Sequence, residues 1–280
     1  MRKLSLFMVA WLATLLLMAT DGATEATAET AEETTAVVEE AGKFKTALKK
    51  IFDDEEEDEE VEEKSFPLTL GLDLVSRYVW RGIDFGASPA VQPYLEYSVG
   101  NDKITWGIGA WGSYSFVGPV ASELDLYSYL SLGPVTLNFT DYFLPSETWG
   151  GDAYFTYGNK NGTGHVYELM LSAGGDNFPL YGTAAINLGG ADKTYSSYFE
   201  LGATVYDGID LFVGAAYDNY SGYYMARPKA GSYKFNVINV GLSASYDIDV
   251  KKVSIPLSAS LVFNPEARNA WFVVAIGLSN

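Results

Sequence analysis

From Leu68 onward the sequence keeps a period of two, which constrains the fold more than any other feature. In an extended chain successive side chains point to opposite faces. The run "KITWGIGAWGSYSF" puts Ile104, Trp106, Ile108, Ala110, Tyr114 and Phe116 on one face and Thr105, Gly107, Gly109, Trp111, Ser113 and Ser115 on the other. "VSIPLSASLVF" sets Val253, Ile255, Leu257, Ala259, Leu261 and Phe263 against Ser254, Ser258 and Ser260, and "ELDLYSYLSL" sets Leu124, Leu126, Leu130 and Leu132 against Glu123, Asp125, Tyr127, Tyr129 and Ser131. Twelve runs of this kind start near Leu68, Val91, Ile104, Glu123, Val135, His165, Leu180, Tyr195, Ile209, Phe235, Val253 and Trp271. None sustains a helical period.

The connections carry the next step. "VGNDK", "LGPV", "AGGDNF", "YDGID" and "YDIDVKK" are short turns at every second junction. Between them lie longer, polar, glycine-rich connections such as Pro145 to Gly164 and Asp218 to Lys234. Short and long connections in strict alternation are what an up-and-down transmembrane barrel requires, with short turns on the periplasmic side and long loops outside. A secreted sandwich or lipocalin-like barrel would explain the period of two but not this asymmetry. The expected fold is therefore all-β, an antiparallel transmembrane barrel of about 12 strands over residues 65–280.

On that topology the apolar face meets lipid and the polar face lines the interior. Arg77 and Arg81 then point inward, together with Asp73, Glu96, Glu123, Asp125, Glu168 and Glu200. An arginine on the lipid face would cost about 2–4 kcal/mol at the midplane, so this sorting is expected. Acidic groups outnumber basic ones, which predicts a mild cation preference if the lumen conducts. Tyr78, Trp80, Tyr114, Phe116, Phe143, Tyr195, Tyr217, Phe263 and Phe272 fall on the apolar face near the long-loop ends, where an aromatic girdle belongs.

Before the strands the chain is a different polymer. Met1-Arg2-Lys3, the apolar run Leu4 to Ala19 and the small residues that follow read as a cleaved export signal over 1–23, directing the protein to a bacterial outer membrane. Residues 24–64 form an acidic low-complexity linker; from Asp21 to Lys64 there are 17 acidic and 5 basic residues. Within it, "GKFKTALKKIF" spaces Phe44, Leu48, Ile51 and Phe52 along one face of a short basic amphipathic helix near 42–52.

Several classes of function are disfavoured. With no cysteine and a single histidine, His165, thiolate sites and histidine clusters have no donors. No cofactor or metal is expected. A sequence pI near 4.3 gives no basic footprint for nucleic acid. A barrel hydrolase would have to rely on His165, which strand parity places on the lipid face beside Tyr167, away from the inward Glu168. The chain is not expected to be an enzyme.

The stretch Ser76, Tyr78, Arg81, Gly82, then Ser88, Pro89, Ala90 and Gln92, followed by Trp111-Gly112-Ser113, by Glu123, Asp125 and Tyr127, and by Tyr167-Glu168, resembles the TorF-type porins of Gram-negative outer membranes. The resemblance implies a porin-type barrel, with outer-membrane lipid, the barrel-assembly machinery and small solutes or ions as partners. It brings no residue-level mechanism. The narrow porin reading stands beside two alternatives: a plugged structural or adhesive barrel acting through the tyrosine-rich loop around Tyr217, Tyr220, Tyr223 and Tyr224, and a hydrolase.

Overall fold

The computed structural model describes residues 67–117, 122–145, 154–157, 163–175, 178–219, 223–224, 233–250 and 253–279. The expected export signal, acidic linker and amphipathic helix lie outside these residues.

Fourteen strands are formed among the described residues. They are β1 (Leu68–Val75), β2 (Tyr78–Trp80), β3 (Ile83–Gly86), β4 (Ala90–Asn101), β5 (Ile104–Ser115), β6 (Ser122–Leu132), β7 (Val135–Phe143), β8 (His165–Gly175), β9 (Phe178–Gly190), β10 (Ser197–Tyr206), β11 (Ile209–Asn219), β12 (Tyr233–Val250), β13 (Val253–Asn264) and β14 (Asn269–Ser279). Twelve of them, β1 and β4 to β14, close into an antiparallel barrel, each paired with its neighbours in chain order. β1 seals the ring by pairing with β14, from Gly71 opposite Ser279 to Val75 opposite Ala275. Closure gives every wall strand a partner on both sides.

At one end of the barrel every connection is two residues long: 102–103, 133–134, 176–177, 207–208 and 251–252. All the longer connections lie at the other end. The outer wall carries Leu70, Leu72 and Leu74 on β1, Ile104, Trp106 and Ile108 on β5, and Leu211 and Val213 on β11, all exposed. An apolar outside around a polar inside inverts the soluble arrangement and suits a lipid-facing wall.

Rings ride at both ends of this wall. Tyr114, Phe116, Tyr217, Phe263 and Phe272 are exposed near the long-loop end, with Tyr195 in the adjoining loop. Tyr97, Trp106 and Tyr246 form a second level near the short turns. A serine on the outer wall is neutralised locally, since Ser128 Oγ donates to the Gly107 carbonyl and accepts from Trp106 Nε1.

Twelve strands enclose more space than wall side chains fill, because a barrel of about eight strands is the width they just pack. The extra volume is taken by the chain itself. After Val75 the polypeptide leaves the wall and turns back into the lumen as the hairpin β2–β3, a separate two-stranded sheet. Its turn is two residues, Arg81 (φ 49°) and Gly82 (φ 74°). Positive φ at both central positions is the type I′ geometry, whose twist matches the flanking strands. The apolar core of the molecule sits in the lumen. It groups Ala185, Tyr198, Ala216, Tyr224 and Ile238 with Trp80, Ile83, Met170 and Tyr223.

This insertion corrects the expected place of two rings. Tyr78 and Trp80 are not on the lipid face: Tyr78 is buried and Trp80 half-buried inside the barrel. Strand parity predicts a face only while the chain stays in the wall, and here the wall ends at Val75. Phe143 differs too. It keeps its outward parity on β7 but is buried under Tyr154 of the β7–β8 connection, ring centroids 5.0 Å apart.

Candidate functional site: the occluded lumen

The tip of the hairpin makes the site. Arg81 Nη1 donates to Glu168 Oε2 at 2.5 Å and Nη2 to Glu168 Oε1 at 3.0 Å, so the guanidinium grips the carboxylate at two points. Arg81 Nη1 also donates to the Tyr224 hydroxyl at 2.6 Å, and Tyr142 OH donates to Glu168 Oε1 at 2.9 Å. The guanidinium carbon lies 4.2 Å from the Trp80 ring centroid and 4.6 Å from that of Tyr198. Each such cation–π contact contributes about 2 kcal/mol when desolvated. Glu168 is 1% exposed, so its charge depends on this partner.

Backbone geometry explains why the tip seats there. Gly82 lies against β12 at a bulge, where the β11–β12 register shifts after Gly214. A Cβ on Gly82 would fall 1.9 Å from the Ile238 carbonyl oxygen. Asn264 Nδ2 donates to the Gly82 carbonyl at 2.8 Å and ties the turn to β13. At the mouth, Arg77 Nη1 pairs with Asp84 Oδ2 at 3.0 Å, bracing one hairpin strand to the other. Arg77 thus sits on the plug and not on the barrel wall.

Tyr223 and Tyr224, from the β11–β12 connection, pack against the hairpin. Trp80 stacks on Tyr224 at 6.2 Å and meets Tyr142 and Tyr223 edge-on at 5.5 and 6.1 Å. Tyr223 and Tyr224 are held from outside. Asp218 Oδ2 accepts from Tyr224 N at 2.7 Å, Asp218 Oδ1 accepts from Ser196 Oγ at 2.7 Å, and Ser196 Oγ accepts from Tyr223 N at 3.0 Å. Asp192 fixes the β9–β10 loop that supplies Ser196, taking bonds from Thr194 N, Thr194 Oγ1, Ser196 N and Asn187 Nδ2. Burial of Tyr224 pushes its phenol well above the usual range, so it stays a neutral hydroxyl beside Arg81.

The remaining inward acids are placed around this plug. Glu123 and Asp125, neighbours on the inner face of β6, are buried at 4% and 6% exposure. Tyr78 of the hairpin hydrogen-bonds Glu123. Glu200 accepts from Tyr198 OH, and from Asn239 Nδ2 at 2.9 Å. Glu96 lies lower on β4, where Tyr127 OH and Tyr129 OH donate to its two oxygens at 3.1 and 2.8 Å.

Towards the short-turn end, Glu96, Tyr127, Tyr129, Ser131, Thr136, Asn138 and Met170 line a cavity of about 430 Å³. Among the described residues the hairpin fills the lumen on the long-loop side, and this cavity lies on its short-turn side. No protein-family model matches the chain, and no curated protein matches it. Among solved structures it is similar to the KdgM porin (10% identity, 75% of this chain and 97% of that one, TM-score 0.39). It is also similar to the CymD monoaromatic hydrocarbon channel (10%, 76% and 86%, TM-score 0.33) and to LpxR from Salmonella typhimurium (12%, 75% and 99%, TM-score 0.35). These likenesses bring no function to this chain. The barrel itself rests on the strand pairing described above.

His165 departs from its expected position on open lipid face. It points outward but is fully covered, with Nδ1 2.7 Å from Asp141 Oδ1 and Nε2 2.5 Å from the Tyr154 carbonyl oxygen. The Tyr157 and Phe143 rings pack at 4.3 and 4.8 Å. Both ring nitrogens are engaged, and the second faces a carbonyl that has no proton to give. The couple holds Tyr154 of the β7–β8 connection against the wall. Asp141 went unread in the sequence, although an acid on the outward face of β7, beside the sole histidine, breaks the alternation visibly.

Proposed function

We propose that this protein is a narrow outer-membrane channel for small polar solutes or ions, with mild cation preference, held shut at its outer end by the hairpin β2–β3. One observation carries this reading. The only arginine seated deep in the described lumen, Arg81, lies on a short hairpin and not on the wall, and is held by polar contacts to Glu168 and Tyr224 that water could replace. With Arg81 matched by Glu168 and Arg77 by Asp84, Glu96 and Glu200 remain in the lumen with no basic partner among the described residues. The resemblance to TorF-type porins supports the same reading. The apolar belt calls for outer-membrane lipid, and insertion of such a barrel calls for the assembly machinery.

The adhesive alternative gains little from Tyr223 and Tyr224, whose rings turn inward onto Trp80. For hydrolysis, His165 offers no unengaged nitrogen. To test the channel reading, residues 77–87 are replaced by a glycine–serine linker and the reversal potential is measured across a KCl gradient. Steady, cation-selective current is expected; a silent, folded barrel would overturn the reading.

A further inference from the structure

Two lumen carboxylates are dressed alike. Glu168 accepts from the Tyr142 hydroxyl at 2.9 Å, with the Tyr224 hydroxyl nearby, and its charge is met by the Arg81 guanidinium. Glu96 accepts from the hydroxyls of Tyr127 and Tyr129. Among the described residues no lysine or arginine pairs with it. In place of a cation, the cavity of about 430 Å³ opens on it, a size in the range of small-molecule sites. Met170 joins the two places: its sulfur accepts from Arg81 Nη2 at 3.4 Å, and its side chain lines the cavity below.

The rings of the lower site are set by glycines. A Cβ on Gly107 would fall 2.4 Å from Tyr129 ring carbons, and one on Gly109 2.3 Å from Tyr127 Cζ. Both rings therefore lie along the wall, their hydroxyl ends turned to Glu96 and their faces to the lumen. The negative face of a phenol ring attracts a cation, as the rings around Arg81 do above. Ser131 Oγ and Thr136 Oγ1 satisfy each other at 2.8 Å, and Asn138 Oδ1 is an acceptor with no partner among the described residues, leaving Glu96 as the one carboxylate of the lining. An anion would be repelled, and a neutral polyol would leave that charge unanswered.

We propose that this cavity binds a small solute bearing a guanidinium or primary ammonium group, with Glu96 as its counter-ion and Tyr127 and Tyr129 as its stacking wall. Arg81 shows in the site above the chemistry that the site below lacks. The inference rests on the channel reading for how such a solute arrives, and not for its binding.

The test is calorimetric titration of the full chain, folded in detergent, with Nα-acetyl-L-argininamide and with its neutral ureido counterpart Nα-acetyl-L-citrullinamide. Argininamide is expected to bind and citrullinamide at least tenfold more weakly. Glu96→Gln should weaken argininamide at least tenfold, and Glu266→Gln, in the β13–β14 connection at the other end of the barrel, should not. Thr136→Trp, which fills the cavity from its floor and leaves Glu96 in place, should abolish the heat in a barrel whose unheated gel mobility is that of the wild type. Equal binding of both probes, no binding of either, or binding indifferent to Glu96→Gln would overturn the proposal. A barrel that binds argininamide yet never conducts would overturn the channel reading and leave the site; one that conducts without binding would do the reverse.

Discussion

Arg81 and Glu168, 87 residues apart in the chain, meet inside the lumen through two parallel hydrogen bonds, with side chains 9% and 1% exposed. Removing one partner of a buried pair strands the other charge, at a cost of about 3–5 kcal/mol, whereas removing both costs far less. Arg81→Ala should therefore lower the thermal unfolding midpoint markedly, and Arg81→Ala with Glu168→Gln should recover much of the loss. A double-mutant cycle by differential scanning calorimetry reads this coupling. Additive losses would mean that the pair does not hold the plug.

Gly82 offers a test that leaves every charge in place. Its φ of 74° and the 1.9 Å approach of a hypothetical Cβ to the Ile238 carbonyl leave no room for a side chain. Gly82→Ala should unseat the hairpin tip while the wall strands stay paired. The expected signature is a normal unheated gel mobility with new protease cleavage between Arg77 and Gly86. Undiminished protection would show that the hairpin is anchored elsewhere.

The tyrosine loop depends on Asp218, fully buried and bonded to Tyr224 N and Ser196 Oγ. Asp218→Ala leaves those donors unmatched, at about 1–3 kcal/mol for a buried group. Tyr224, 4% exposed in the wild type, should then become open to nitration by tetranitromethane, read by peptide mass spectrometry. Nitration equal to wild type would contradict the role given to Asp218.

Acid acts on the outer loops through Asp192. Burial alone would raise its pKa, but the bonds from Thr194, Ser196 and Asn187 outweigh burial and hold it below the ordinary 3.8. A carboxyl lowered on folding contributes stability that is complete above its unfolded value and lost as pH falls through its folded value. Between pH 5 and 8 the loop should be indifferent to pH. Below the ordinary aspartate value it should loosen, and pepsin should begin to cut between Ala191 and Ser196. Asp192→Asn should remove this acid step.

The wall of this barrel was legible in the sequence because its signals are local. The alternation of Leu124 to Leu132 and the turns at Gly133 and Gly208 each lie within a few residues, and the twelve runs expected are the twelve wall strands formed. The plug was not. "YVWRGIDF" reads as a continuing strand because arginine is an unusual first residue for a type I′ turn, where asparagine or aspartate before glycine is the common signal. Arg81 sits at the tip of a hairpin and not on the wall. Nothing local marks Glu168 as its partner. Tyr127 and Tyr129 were read as inward residues of β6, but their meeting with Glu96 is a matter of register across β4, β5 and β6, which the sequence leaves open.

Whether the hairpin closes a conducting lumen is read by single-channel recording in planar bilayers, with wild type and Arg81→Ala compared under the same gradient. The wild type should be mostly silent with brief openings, and the variant should stay open with cation-selective steps. Equal currents from the two, or silence from both when each is inserted and folded, would contradict closure by the hairpin.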